Sequence, residues 1–294
     1  MLEFLRPEPD LLRAFAVALR LAYYVTCLGA AGMVLFSICF KRLQEPEHVV
    51  ASRCLTTVLA AAGVVIGFVW LGTQVSMASD GNPFDAEIWD MMLTARPGIS
   101  VLMAAAGLLA IVAAAWNVPP ARALGGAGVL MVAASFTVVG HTTQHQPREL
   151  LAAVLVLHLL AAAFWAGSLV PLAQVSGRGG IRAARLVESW ARTAAWVVGG
   201  LVLAGLLLAW VLVGRLEVLL TTRYGLALLT KVALVGVLLG FAAWHRFRLT
   251  PALAANTPGA GKRLARSIWW EVAVMVLVFW AVAEMTSTSP QGDG

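Results

Sequence analysis

Two histidines four residues apart close the segment GHTTQH, Gly140 to His145. If a helix continues through that turn, His141 and His145 lie on one face, close enough to share a metal ion. Gln144 lines the same mouth, and Pro147 limits how far the helix extends. A third histidine, His158, follows within HLLAAAFWAGSLVPL, His158 to Leu172. Neutral imidazole ligates copper, zinc, iron and nickel, and an ionisable group held inside a membrane needs a partner there. The plain alternative has His158 bonding a neighbouring helix while His141 and His145 cap theirs in water. Three histidines gathered in one place favour the ligand reading. Trp165, seven residues after His158, falls two helical turns deeper on about the same face. It would wall the path below the metal, with ordinary helix packing as the equal alternative.

Other polar residues interrupt the apolar runs. Lys231 and Glu284 can form a buried ion pair, which would lower the cost of holding both charges in lipid. Glu271 is expected one turn inside its helix, within reach of Arg246, Arg248 or Arg266. His48 and His245 fall at the opposite edge from the other three histidines, where exposed or headgroup positions are the economical reading and acceptance of an ion leaving the bundle is the alternative. Met33, Met103, Met131 and Met275 are soft thioether candidates, although methionine commonly fills gaps in apolar packing. The one glycine-lysine fragment, GAGKR at Gly259 to Arg263, lacks the first glycine and the Ser/Thr of a phosphate-binding loop. Direct ATP hydrolysis is therefore not expected, no catalytic residues stand out, and the chain is expected not to be an enzyme.

The elements that position these residues follow from composition. Hydrophobic residues make up 60% of the 294 and charged residues only 12%, against about 25% charged in soluble domains. A hydrocarbon core of about 30 Å needs about 20 apolar residues per helix. Runs of that kind extend approximately from Ala14 to Cys39, Leu55 to Met77, Pro97 to Trp116, Ala123 to Val139, Leu150 to Leu172, Ala191 to Val213, Tyr224 to Trp244 and Ile268 to Met285. The fold expected is all-α: a polytopic membrane bundle of about eight transmembrane helices forming one integral membrane domain over 1–294. His158 then sits about 12 Å below the start of the fifth run at 1.5 Å per residue. The polar start MLEFLRPEPD and the length of the first run argue for a retained anchor rather than a cleaved signal. Cys27, Cys39 and Cys54 show no CxxC spacing, so no disulfide framework is expected.

The formal charge of +6 is spread through short connections, which excludes a nucleic-acid surface and reads as an orientation signal. Connections after the first, third, fifth and seventh runs hold most of the basic residues, among them Lys41, Arg42, Arg178, Arg182, Arg246, Arg248 and Lys262. The positive-inside rule places those connections in the cytoplasm and both termini in the periplasm. The outer connection from about Ala78 to Arg96 carries Asp80, Asp85, Glu87 and Asp90. It reads as a solvated cover for the mouth, with attraction of a cation as the sharper alternative.

Three segments resemble the CopD/PcoD family, the inner-membrane copper resistance D proteins of bacteria. They are GHTTQH with HLLAAAFWAGSLVPL; TTRYGLALLTKVALVGVLLGFAAWHRFRLTPAL, Thr221 to Leu253; and RSIWWEVAVMVLVFWAVAE, Arg266 to Glu284. The likeness is strongest over 139–290, and the N-terminal half resembles the family in hydropathy. This chain has His245 where the family pattern often has Asn, and Ser168 where it has Gly. The resemblance implies a copper ion passing from the periplasm through the inner membrane, delivered by a separate periplasmic CopC-like copper-binding protein. By residue matching it supports His141 and His158 as ligands; His145 rests on spacing alone.

Two other functions fit the same residues. A b-type haem protein would hold its iron between histidines on facing helices, with His145 and His158 available. A periplasmic-face copper chaperone or assembly factor would hold the ion without moving it across.

Overall fold

The computed structural model describes residues 9–139, 147–213 and 216–287. Every regular element among the described residues is helical. Among the described residues eight helices are long and apolar enough to cross a membrane: α1 (Pro9–Phe40), α2 (Pro46–Ala78), α4 (Arg96–Ala115), α5 (Ala121–Val138), α6 (Arg148–Arg178), α7 (Gly180–Val213), α9 (Arg223–Trp244) and α11 (Ala260–Thr286). Shorter pieces join them: α3 (Ala86–Thr94), α8 (Leu216–Thr221) and α10 (Thr250–Ala254). The chain is thus an all-helical, multi-pass membrane protein.

Several helices overrun the apolar segments that announce them. The 33 residues of α2 and 34 of α7 make rods of about 50 Å, well beyond the hydrocarbon core. Their polar ends stay helical because Pro46 fits the first turn of α2, where its missing N–H is no loss, and no breaker interrupts α7. The acidic connection also folds. The Asp85 side chain accepts from the Ile88 N–H at 3.0 Å and starts α3, while the Trp89 indole donates to the Pro83 carbonyl at 2.8 Å. This makes the cover a short capped helix rather than an open loop.

At the centre is α1, packed by α2, α4, α5, α6 and α11, while α7 and α9 lie outermost against α6 and α11. The crossing of α1 and α6 is backbone on backbone. A Cβ at Gly32 would lie 1.7 Å from the Ala163 carbonyl oxygen, and one at Gly167 would lie 2.5 Å from the Gly32 Cα. Lipid gives helices no hydrophobic reason to associate, so such close approach is what holds them. It also fixes the rotation of α6, turning Trp165 and Ser168 into the bundle, where they are 1% and 0% exposed.

The start of α1 meets the end of α11. Arg13 of α1 pairs with Glu284 of α11 at 3.1 Å, Arg20 donates to the Thr286 carbonyl, and the Tyr24 and Thr286 hydroxyls share a hydrogen bond at 3.1 Å. At the opposite end, α9 runs into a π-helical turn, His245–Leu249, before α10. Cys27, Cys39 and Cys54 are all free.

Candidate functional site

His158 lies ten residues into α6, about 15 Å along it from the end of the bundle where α1 starts and α11 finishes. Its Nδ1 is 3.2 Å from the Leu201 carbonyl oxygen of α7. A carbonyl only accepts, so Nδ1 carries the proton and donates. The imidazole comes this close because residue 205 is glycine: a Cβ there would sit 3.1 Å from the His158 Cε1. With Nδ1 committed, the Nε2 lone pair is left over, and no hydrogen bond to it forms among the described residues. A ring nitrogen tied to a backbone carbonyl, with the other nitrogen free, is the arrangement by which proteins orient a metal-binding histidine.

Lys231 of α9 is near enough for its charge to act on His158. Among the described residues no Lys231–Glu284 ion pair lies within 4.0 Å. Glu284 takes Arg13 instead, because α1 packs against the last turns of α11 and presents a guanidinium there. Among the described residues Lys231 has no ion-pair partner within 4.0 Å.

His141, His145 and Gln144 lie outside the described residues. Within those that are described, no three His, Cys, Asp or Glu residues are grouped closely enough to hold a metal ion. The soft candidates stay dispersed, with Met33 and Met275 buried in core packing on α1 and α11.

A second polar centre lies deeper, and sequence reasoning missed it. Trp165, two turns past His158 on α6, has a polar partner: its Nε1–H donates to Glu271 Oε1 at 2.7 Å. Glu271 is 1% exposed, eleven residues or about 16 Å into α11 rather than one turn. Its Oε2 is 3.3 Å from His245 Nδ1, and His245 Nε2 is 2.8 Å from the Ser267 Oγ. On the other flank, Trp190 donates to Ser168 Oγ at 2.9 Å, and Ser168 donates to the Trp165 carbonyl at 2.9 Å. The expectation that His245 is exposed and that an arginine neutralises Glu271 is therefore corrected. The π turn swings His245 inward to 7% exposure, while Arg246, Arg248 and Arg266 point outward. His48 is also buried, at 6%, close to where Arg178 meets Glu47 at 2.8 Å.

Comparison with known proteins covers both halves of the chain. The family described as "Copper resistance protein D" matches residues 184–285, and "Copper resistance protein D-like, N-terminal domain" matches residues 10–151. The N-terminal half thus shares more with the family than hydropathy. The chain is 28% identical to "Copper resistance protein D" of Pseudomonas syringae pv. tomato over 300 residues, covering 94% of this chain and 97% of that one. No solved structure matches.

Proposed function

Because the chain belongs to the copper resistance protein D family, we propose that it takes up copper at the end of the bundle where α1 starts and α11 finishes and moves it across the membrane. The copper ion is cargo. The charge asymmetry of the connections supports placing the termini in the periplasm of a bacterial inner membrane, so the direction is import, in the service of copper homeostasis and resistance.

The observation that carries the reading is His158: Nδ1 donates to the Leu201 carbonyl, and Nε2 stays free for an ion. His141 and His145 precede it in the chain and would receive copper first, with Gln144 beside them, from a separate CopC-like periplasmic partner. The nearby Lys231 charge weakens a cation's hold on His158, which suits a site an ion must leave as well as enter.

Copper titration of the detergent-purified protein tests this, followed by copper uptake into liposomes. Wild type binds copper and takes it into the lumen; His141→Ala and His158→Ala lose most of both. Binding without uptake would turn the reading into a copper chaperone, and a Soret band that disappears with His158→Ala would replace it with a haem protein.

A further inference from the structure

The centre formed by Trp165, Glu271, His245 and Ser267 is unused by the path above, yet it buries an ionisable pair inside a membrane bundle, near the end where α9 finishes and α11 begins. Unpaired buried charge is expensive in lipid, and ionisable residues there mark ion or proton routes more often than packing. One carboxylate oxygen, Glu271 Oε2, is buried without a hydrogen bond; His245 Nδ1 lies 3.3 Å from it.

The imidazole connects that oxygen to the surface. His245 Nε2 meets Ser267 Oγ at 2.8 Å, and Ser267 lines a groove between α9 and α11 together with Val237, Gly240, Phe241 and Trp244. Exposed Trp244 is one of its walls, and exposed Trp269 and Trp270 follow Ser267 on α11 in a second groove with Arg266, an aromatic grouping of the kind found at membrane–water interfaces. The groove brings the protein surface to Ser267 near the end of the bundle where α9 finishes and α11 begins. His245 also opens a π-helical turn, a local irregularity common at functional sites.

We propose that Glu271 and His245 form a proton-loading site, filled and emptied through Ser267 from the side of the membrane opposite the termini. A proton from interfacial water, relayed by the Ser267 hydroxyl, binds His245 Nε2. The Nδ1 proton then passes to Glu271 Oε2, leaving a neutral imidazole and a neutral carboxylic acid. Release reverses the steps, so protons balance and no other reactant is needed. Oε1 keeps the Trp165 N–H in both states, with a stronger bond when the carboxylate is charged.

The helices packed against α11 offer no competing partner within 4.0 Å of Glu271 among the described residues. Lys231 and Tyr224 of α9, His158 and Arg178 of α6, and Arg13, Arg20, Tyr23 and Tyr24 of α1 lie elsewhere along them. Arg246, Arg248 and Arg266 face outward. The site does not depend on copper being the cargo.

Infrared difference spectroscopy between acid and alkaline pH, on metal-free protein in detergent, reads the site directly. Wild type shows a protonated-carboxyl band that shifts in heavy water, that Glu271→Gln removes and that Glu284→Gln leaves intact. His245→Asn and Ser267→Ala keep the carboxyl: the first moves the midpoint of that band by about one pH unit, and the second slows its appearance after a pH jump several-fold. A band that persists in Glu271→Gln overturns the proposal, and so do a midpoint unmoved by His245→Asn and a rate unmoved by Ser267→Ala.

Discussion

Trp165 and Glu271 stand 106 residues apart in the chain and 2.7 Å apart in the bundle, the indole N–H of α6 held by the carboxylate of α11. Both side chains are 1% exposed, so neither can turn to water for a substitute. Trp165→Phe keeps the aromatic bulk and removes the donor. An acceptor stranded in a buried site costs about 1–3 kcal/mol, more when charged. Thermal unfolding in detergent is expected to show that loss for Trp165→Phe, while Glu271→Gln, which retains an acceptor oxygen, loses less. Equal stability of Trp165→Phe and wild type would show that the bond contributes nothing.

The α1–α6 crossing makes a sharper stability prediction. Gly32→Ala puts a methyl 1.7 Å from the Ala163 carbonyl oxygen, a backbone atom that cannot move without the helix. Gly126→Ala on α5 meets nothing within 4 Å. Size-exclusion profiles after detergent extraction are expected to show Gly32→Ala aggregated or absent and Gly126→Ala like wild type. A well-behaved Gly32→Ala would mean that these helices cross elsewhere.

The spans were legible because lipid demands about 20 apolar residues in a row and this sequence supplies eight such runs. Their ends were not, since helix continues wherever nothing breaks it, and the polar starts of α2, α7 and α11 carry no hydropathy signal. His158 was legible as a polar residue in an apolar run; its bond to Leu201 was not, because Gly205 reads in sequence as one small residue among many. His245 misled for a physical reason: preceding RFR, it reads as the polar end of a helix, and only the π turn rotates it inward. The two departures from the family pattern, Ser168 and His245, both fall in the buried network, a coincidence that positions in the chain alone could not reveal.

Lys231 tests the electrostatics of the ion path. No acid lies within 4.0 Å of Lys231 among the described residues, and a positive charge there would oppose a cation held by His158. Lys231→Met keeps the bulk and removes the repulsion, so copper affinity is expected to rise about tenfold, equivalent to about 1.4 kcal/mol. Tighter binding should also slow release, so liposome uptake at saturating copper falls even as affinity improves. An unchanged affinity would place the ion too far from Lys231 for His158 to be its ligand.

Gly205 separates the geometry of His158 from its mere presence. A methyl at residue 205 comes 3.1 Å from the imidazole Cε1, a contact that a small rotation of the ring relieves. A valine or leucine pushes the ring off the Leu201 carbonyl and releases Nδ1, so the tautomer that leaves Nε2 free is no longer enforced. Loss of such an orienting partner typically weakens metal binding 10- to 100-fold. Copper titrations are expected to follow the order wild type, Gly205→Ala, Gly205→Val, with thermal stability falling far less than affinity. If affinity and stability fall together, residue 205 serves helix packing alone, and the bond to Leu201 holds α6 to α7 without preparing a ligand.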